Sequence, residues 1–234
     1  MYYSERQAQI LALLEKEKSI SVHRLAKLLS ISESSVRRDL AALEEIGKIK
    51  RTFGGAVLFE AAEREVSLMY RRSQHMQEKA EIALKASKYL RDGMMIFLDA
   101  SSSAAQMIPH LEGFKDVTVV TNSPSTSMKL GELKIRNYCT GGLLLNHSIA
   151  YVGSGAADFV SRFTADILFF SCRGLSEDGI LSDSMEEEVQ IRRVMLQNAK
   201  KKIFLCDSSK YGQSYPYRLC RADDVDEIIS DVPL

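Results

Sequence analysis

Apolar residues in the first part of the chain recur at helical spacing. Ile10, Leu11 and Leu14 form one stripe, Leu25, Leu28 and Leu29 a second, and Val36, Leu40 and Leu43 a third. Ser4 is placed to cap the first helix, and Ser19-Ile20-Ser21-Val22 predicts a turn into a second helix over His23 to Leu29. Ser30-Ile31-Ser32 leaves room only for a tight turn. Ser32 then caps a third helix that runs to about Ile46, where Gly47 suits the C-terminal end. From Lys48 to Val57 the helical period stops, and two short extended pieces around Gly54-Gly55 predict a hairpin. Residues 58–78 are charged and weakly patterned, as a linker with some helical character would be.

From Lys79 the pattern alternates between amphipathic helices and short apolar runs. Helices are predicted over 79–90, 103–110, 156–163 and 187–199, and strands over 94–98, 117–120, 166–171, 202–206 and 227–230. Strands separated by helices imply a mainly parallel α/β sheet. The expected organisation is a small helical domain with a hairpin over 1–57, a linker over 58–78 and an α/β domain over 79–234.

Composition changes this picture little, but charge distribution changes it more. The chain is 45% hydrophobic and 26% charged with no long apolar run, and its start lacks the basic-then-apolar form of a signal peptide, so a cytoplasmic protein without membrane contact is expected. Its net charge of zero conceals a division. Residues 1–57 hold 10 Lys or Arg against 7 Asp or Glu, and the remainder 21 against 24. Cys139, Cys172, Cys206 and Cys220 contain no CxxC pair, and the four histidines have no ligand spacing, so no metal is expected. Gly153-Ser154-Gly155 begins a dinucleotide fingerprint that Asp158 breaks, and no cofactor is expected either.

The third helix opens with Ser32-Glu33-Ser34-Ser35-Val36-Arg37-Arg38-Asp39-Leu40. Two cations near a helix N-terminus oppose the helix dipole, which a bound polyanion would offset. In a helix-turn-helix this end enters the major groove. Ser32, Ser34 and Ser35 can bond phosphate or base edges, and Arg37 and Arg38 can bind phosphate or guanine. Lys48, Lys50 and Arg51 would line a wing along the DNA backbone. These residues, with Leu43-Glu44-Glu45-Ile46-Gly47 and Arg51-Thr52-Phe53-Gly54-Gly55-Ala56, resemble the N-terminal signature of the DeoR family of bacterial transcriptional regulators. Phe53 stands where the family pattern leads one to expect histidine.

In parallel α/β sheets ligands bind beyond the carboxyl ends of the strands. Those positions here are Asp99 with Ser101, Ser102 and Ser103, then Thr121 and Asn122, then Arg173 and Gly174, then Asp207 and Lys210. Hydroxyls entering a helix suit an oxyanion, a lysine suits phosphate, and carboxylates accept from sugar hydroxyls. This half of the chain resembles the DeoR sensor domain, similar in fold to ribose-5-phosphate isomerase, through LDASSS, VVTNS, TGGLL with Gly153, Glu188 with Arg192-Arg193-Val194-Met195, and DSSKYG. The resemblance implies a repressor of carbohydrate metabolism genes that binds operator DNA as a homo-oligomer, dimer or tetramer, and responds to a phosphorylated sugar. It adds Glu188 to the effector-binding set. Ala100 replaces the glycine usual after the aspartate, and Arg173 replaces a small or acidic residue, so Arg173 either recognises a more anionic effector or makes an internal ion pair. Two alternatives stand beside this reading. An isomerase-like enzyme would cast Asp99, Asp183, Glu188, Asp207 and Lys210 as acid, base and electrophile, and a DNA-binding protein with a degenerate sensor would explain the altered loop.

Overall fold

The computed structural model describes residues 5–17, 19–45, 48–52, 54–58 and 68–233, which divide into two compact units, Met1–Ser73 and Gln74–Leu234. The first unit contains α1 (Glu5–Glu17), β1 (Ser19–Ser21), α2 (Val22–Leu29), α3 (Glu33–Glu45), β2 (Ile49–Thr52), β3 (Gly55–Leu58) and α4 (Leu68–Ser73). Ile10, Leu14, Leu25, Val36, Leu40 and Leu43 converge in one core with Ile20, Val22, Ile49 and Ala56.

Two expectations change here. Ser19 to Ser21 is a strand, which pairs antiparallel with β3 and completes a three-stranded sheet, while Val22 already belongs to α2. Ile20 is buried because that edge strand carries it into the core, and Val22 because it opens α2 against the same core. Leu28, expected on the inward stripe, is exposed, while Val22, Leu25, Ala26 and Leu29 are the α2 residues that meet the core. Ser4, Ile46 and Gly47 lie outside the described residues.

The turn between α2 and α3 is made at Ser30, which sits in the left-handed region at φ 53° while its N–H bonds the Ala26 carbonyl. Gly55 answers a different need. A Cβ there would run into the Ile20 carbonyl across the β1–β3 pairing, so only glycine allows this approach.

The second unit runs through α5 (Met76–Ser87), β4 (Met95–Leu98), a 3-10 helix (Ala104–Leu111), β5 (Thr118–Thr121), α6 (Pro124–Glu132), β6 (Arg136–Cys139), β7 (Leu143–Leu145), β8 (Ala150–Val152) and α7 (Ser154–Val160). It continues with β9 (Ala165–Phe170), β10 (Gly174–Leu175), β11 (Ile180–Asp183), α8 (Glu186–Gln197), β12 (Ala199–Cys206), β13 (Tyr217–Arg221) and β14 (Glu227–Ser230). Six strands in the order β14-β12-β9-β4-β5-β6 form a wholly parallel sheet. Successive strand residues face opposite sides. Phe97, Leu168, Phe170 and Phe204 pack on one face with Val160, Val189 and Met195, whereas Ile96, Leu98, Ile167, Phe169 and Leu205 pack on the other with Ile82, Ala86, Met107 and Ile108.

The helix expected over 103–110 is a 3-10 helix, Ala104–Leu111, that contains Pro109. Proline lacks the N–H that an α-helical ladder would need there. Two antiparallel elements lie beyond the parallel sheet, the hairpin β7–β8 and the sheet β10-β11-β13. Among the described residues, no helix is long and apolar enough to cross a membrane.

The order of the parallel strands reverses direction once. From β4 the chain proceeds outward through β5 and β6, then returns to the other side of β4 with β9, β12 and β14. The switch point, where parallel sheets of this kind take ligands, falls between the ends of β4 and β9.

Candidate functional site

The start of α3 is built by local hydrogen bonds. Ser32 Oγ accepts from the Ser35 N–H at 3.3 Å and lies 2.9 and 3.0 Å from the hydroxyls of Ser34 and Ser35, so part of this serine cluster serves as the helix cap. Arg37 bonds Glu33 one turn back at 3.2 Å and remains 59% exposed, and Arg38 is also exposed. A surface pair of this kind is weak and easily exchanged for another anion. Asp39 is buried instead, holding Arg6 of α1 through bonds of 2.5 and 2.9 Å. It fixes the angle at which α3 is presented. Arg51 is fastened to Glu44 by its N–H at 2.8 Å and its Nε at 2.6 Å, which ties the wing to α3. Lys48 is half-buried, and the Lys50 side chain and Phe53 fall outside the described residues.

The second site lies along the carboxyl edge of the parallel sheet. Asp99 follows β4, Thr121 ends β5 with Asn122 after it, Ser171 follows β9, and Asp207 follows β12. Strand pairing makes these ends neighbours. Asp99 is fully buried and accepts from the Ser101 N–H at 3.1 Å, the Ser101 hydroxyl at 2.5 Å and Arg192 Nε at 2.7 Å. Ser101 Oγ also receives the Ala104 N–H, so it caps the 3-10 helix. Ser102 is buried beside it, and Ser103 accepts from Lys210 Nζ at 3.0 Å. Lys210 further bonds Ser171 Oγ at 2.6 Å and lies 3.1 Å from Asp207. Lysine thereby joins the ends of three neighbouring strands.

Thr121 Oγ1 accepts from the Ser123 N–H at 3.1 Å, a turn that directs the chain into α6. Gly174 is required by packing, because a Cβ would strike the Gln213 carbonyl. Arg173 comes within 3.7 Å of Asp183, an internal ion pair and one of the two roles expected of it.

Arg192, absent from the effector-binding residues expected from the sequence, is the hub of a buried charge cluster at these strand ends. Its guanidinium bonds Asp99 at 2.7 Å, Asp183 at 2.7 Å and Glu188 at 2.8 Å, and all four side chains are buried. Burial disfavours the Arg192 charge, but Asp183, Glu188 and Asp99 outweigh it and hold the group firmly cationic. Burial pushes the Asp183 carboxyl up, aided by Glu188 and opposed by Arg192. For Asp207 burial is outweighed by Lys210 and Ser209, and its carboxyl lies below the usual range.

Lys79 is a second residue that the sequence reading does not single out. It is 4% exposed on the inward face of α5, donates to the Gln74 carbonyl at 2.7 Å, and its charge contributes to the lowering at Asp207. The signal for both residues is periodic, since Lys79 shares its stripe with Ile82, Ala83 and Ala86, and Arg192 shares one with Glu188, Val189 and Met195. A charge on an apolar stripe has to find a buried partner.

Chemically, this arrangement offers cations and helix-end hydroxyls for an anion. Its carboxylates at Asp99, Asp183 and Glu188 are committed to Arg192, which makes them poor bases for carbon acid chemistry.

Among known proteins, residues 6–62 match the DeoR-like helix-turn-helix domain and residues 74–232 match the DeoR C terminal sensor domain. The HTH-type transcriptional regulator GolR of Listeria innocua is 32% identical over 99% of this chain and 91% of its own. The HTH-type transcriptional repressor GlcR of Bacillus subtilis is 33% identical over 99% and 89%. The L-fucose operon activator of Escherichia coli is 31% identical over 97% and 94%. Among solved structures, eIF2B delta from Chaetomium thermophilum aligns with a TM-score of 0.51 at 13% identity, covering 71% of this chain and 60% of that one. Ribose 5-phosphate isomerase A from Methanocaldococcus jannaschii aligns at 0.45 and 20% identity, covering 59% and 55%.

Proposed function

Because this chain belongs to the DeoR family of helix-turn-helix transcriptional regulators, we propose that it is a repressor of carbohydrate metabolism genes whose hold on operator DNA is relaxed by a phosphorylated sugar. The observation that carries the sensor half of this reading is the Lys210 ammonium, gathered with Ser103, Ser171 and Asp207 at the ends of neighbouring parallel strands. A phosphate entering there exchanges its own oxygens for those hydroxyls and gains a cation in a largely water-excluded place. One relative is named as a repressor and another as the activator of an L-fucose operon, and the latter supports a carbohydrate connection.

The committed carboxylates favour binding over isomerisation. Asp99 acts in this reading as an anchor for Arg192 and Ser101, and Glu188 shares that anchoring role. Thr121, Gly174 and Ser102 shape the surroundings of that anion position.

DNA release requires the effector to bind one state of the protein better than the other, and typical couplings of this kind are about 1–3 kcal/mol. The test is a DNA mobility shift on operator fragments with and without a panel of sugar phosphates. A roughly five- to hundredfold loss of operator affinity with one of them is expected, and Lys210→Ala should bind DNA normally while losing the response. A Lys210→Ala protein that responds in full would end the sensor assignment.

A further inference from the structure

Asp99, Asp183 and Glu188 already spend an oxygen each on Arg192, which turns attention to the neutral polar groups of this unit. Two neutral side-chain oxygens of the same unit are buried without a hydrogen-bond partner. Asn122, after β5, is 2% exposed; its Nδ2 donates to the Tyr151 carbonyl at 3.0 Å, and its main-chain carbonyl accepts from the Tyr151 N–H at 2.7 Å. The side-chain amide is therefore oriented by its donor, and Oδ1 is left without a partner. Ser148 is 1% exposed, and its Oγ is likewise unpartnered.

Ser148 lies in the turn between β7 and β8, the hairpin whose second strand contributes Tyr151. That turn also reaches the Arg192 cluster, where His147 Nε2 stands 3.8 Å from Glu188 Oε1. Its next residue, Ile149, has φ 48°, a conformation that β-branched residues avoid. Such a position is retained only where the surroundings impose it, and these outliers gather at ligand-binding segments. Buried oxygens without partners are uncommon in folded proteins and carry a free-energy cost that a ligand hydroxyl would remove.

We propose that Asn122 Oδ1 and Ser148 Oγ are the hydroxyl-reading contacts of the sensor, taking a polyhydroxylated carbon chain whose phosphate is held at the Lys210 end. The assignment rests on the sensor reading above. Asn122 Oδ1 only accepts and the serine hydroxyl both donates and accepts, a pattern that suits neighbouring hydroxyl groups.

The test compares the full-length protein with its Ser148→Ala variant by calorimetric titration against inorganic phosphate, glycerol 3-phosphate, glucose 6-phosphate, fructose 1-phosphate and fructose 6-phosphate, together with ligand-free melting. Ser148→Ala should melt at or above the parental temperature, because it deletes an unpaired buried hydroxyl. It should bind the tightest of the sugar phosphates about tenfold more weakly, the scale of one neutral hydrogen bond. Equal affinity in both proteins, or a lower melting temperature in the variant, overturns the assignment while leaving the sensor reading intact. If the parental protein binds none of these compounds, the sensor reading fails and takes this inference with it.

Discussion

Arg192 is the side chain whose removal should be felt most. Replacement by methionine leaves Asp99, Asp183 and Glu188 buried together without their shared cation. Removing one member of a buried ion-pair group costs about 3–5 kcal/mol, measurable as a lower urea midpoint. Arg192→Lys should recover only part of this, because one ammonium cannot present the planar fork that reaches three carboxylates. Asp207 gives a pH-dependent counterpart. Burial there is outweighed by Lys210 and Ser209, and the folded carboxyl lies below the ordinary range. Its stabilisation is therefore present above the unfolded value of about 3.9 and is lost as pH falls through the folded value. Asp207→Asn should cost about 1–3 kcal/mol at pH 7, and the difference from the parent should shrink in denaturation curves as pH falls below about 3.9.

At the scale of elements, the turns of the N-terminal unit are the most exposed to single changes. Ser30 holds a left-handed backbone without a glycine's freedom, at φ 53°. Ser30→Gly should raise the unfolding free energy by about 0.5–1 kcal/mol, since relief of that strain exceeds the added entropy of the unfolded chain. Thermal melting of the variant checks it. Gly55→Ala should act the opposite way, forcing β1 from β3 at the Ile20 carbonyl. Loss of chemical-shift dispersion confined to residues of this unit would report it. Elements whose hydrophobic period matches their burial are legible from residue order, as with Val36, Leu40 and Leu43 in α3 or Phe97 between Ile96 and Leu98 in β4. Elements without that match are not. In β7, Leu143 and Leu144 are exposed despite being apolar, and β10 has only two residues, too few to show any period. The strand β1 reads as a turn in the sequence because its partner, β3, lies more than thirty residues away and supplies the pairing that defines it.

For the molecule as a whole, one recognition helix reads one half-site, so the proposed repressor should be at least a dimer when bound to its operator. Sedimentation of the protein with a full operator fragment should give two or more chains per duplex, and a monomer with full affinity would contradict it. The Arg37→Ala, Arg38→Ala double variant should weaken operator binding by about 1–3 kcal/mol for each base-edge hydrogen bond it removes, or lower the salt slope by about one for each phosphate it no longer neutralises. Unchanged affinity together with an unchanged slope in a folded protein would remove α3 from the interface.

Residue order by itself determined the winged helix-turn-helix, the switch to an α/β pattern near Lys79, and the polar residues that close each strand. All of these are local properties, set by spacing along one segment and by the chemistry at its ends. Tertiary structure decided which strand ends are neighbours, since the order β14-β12-β9-β4-β5-β6 depends on pairings between distant segments. It also decided how charges are shared. Asp99 and Arg192 are 93 positions apart, far beyond any local pattern, yet they meet at 2.7 Å. Burial in low dielectric makes such a meeting obligatory for a charge on an apolar stripe, but only the folded sheet determines which carboxylates provide it.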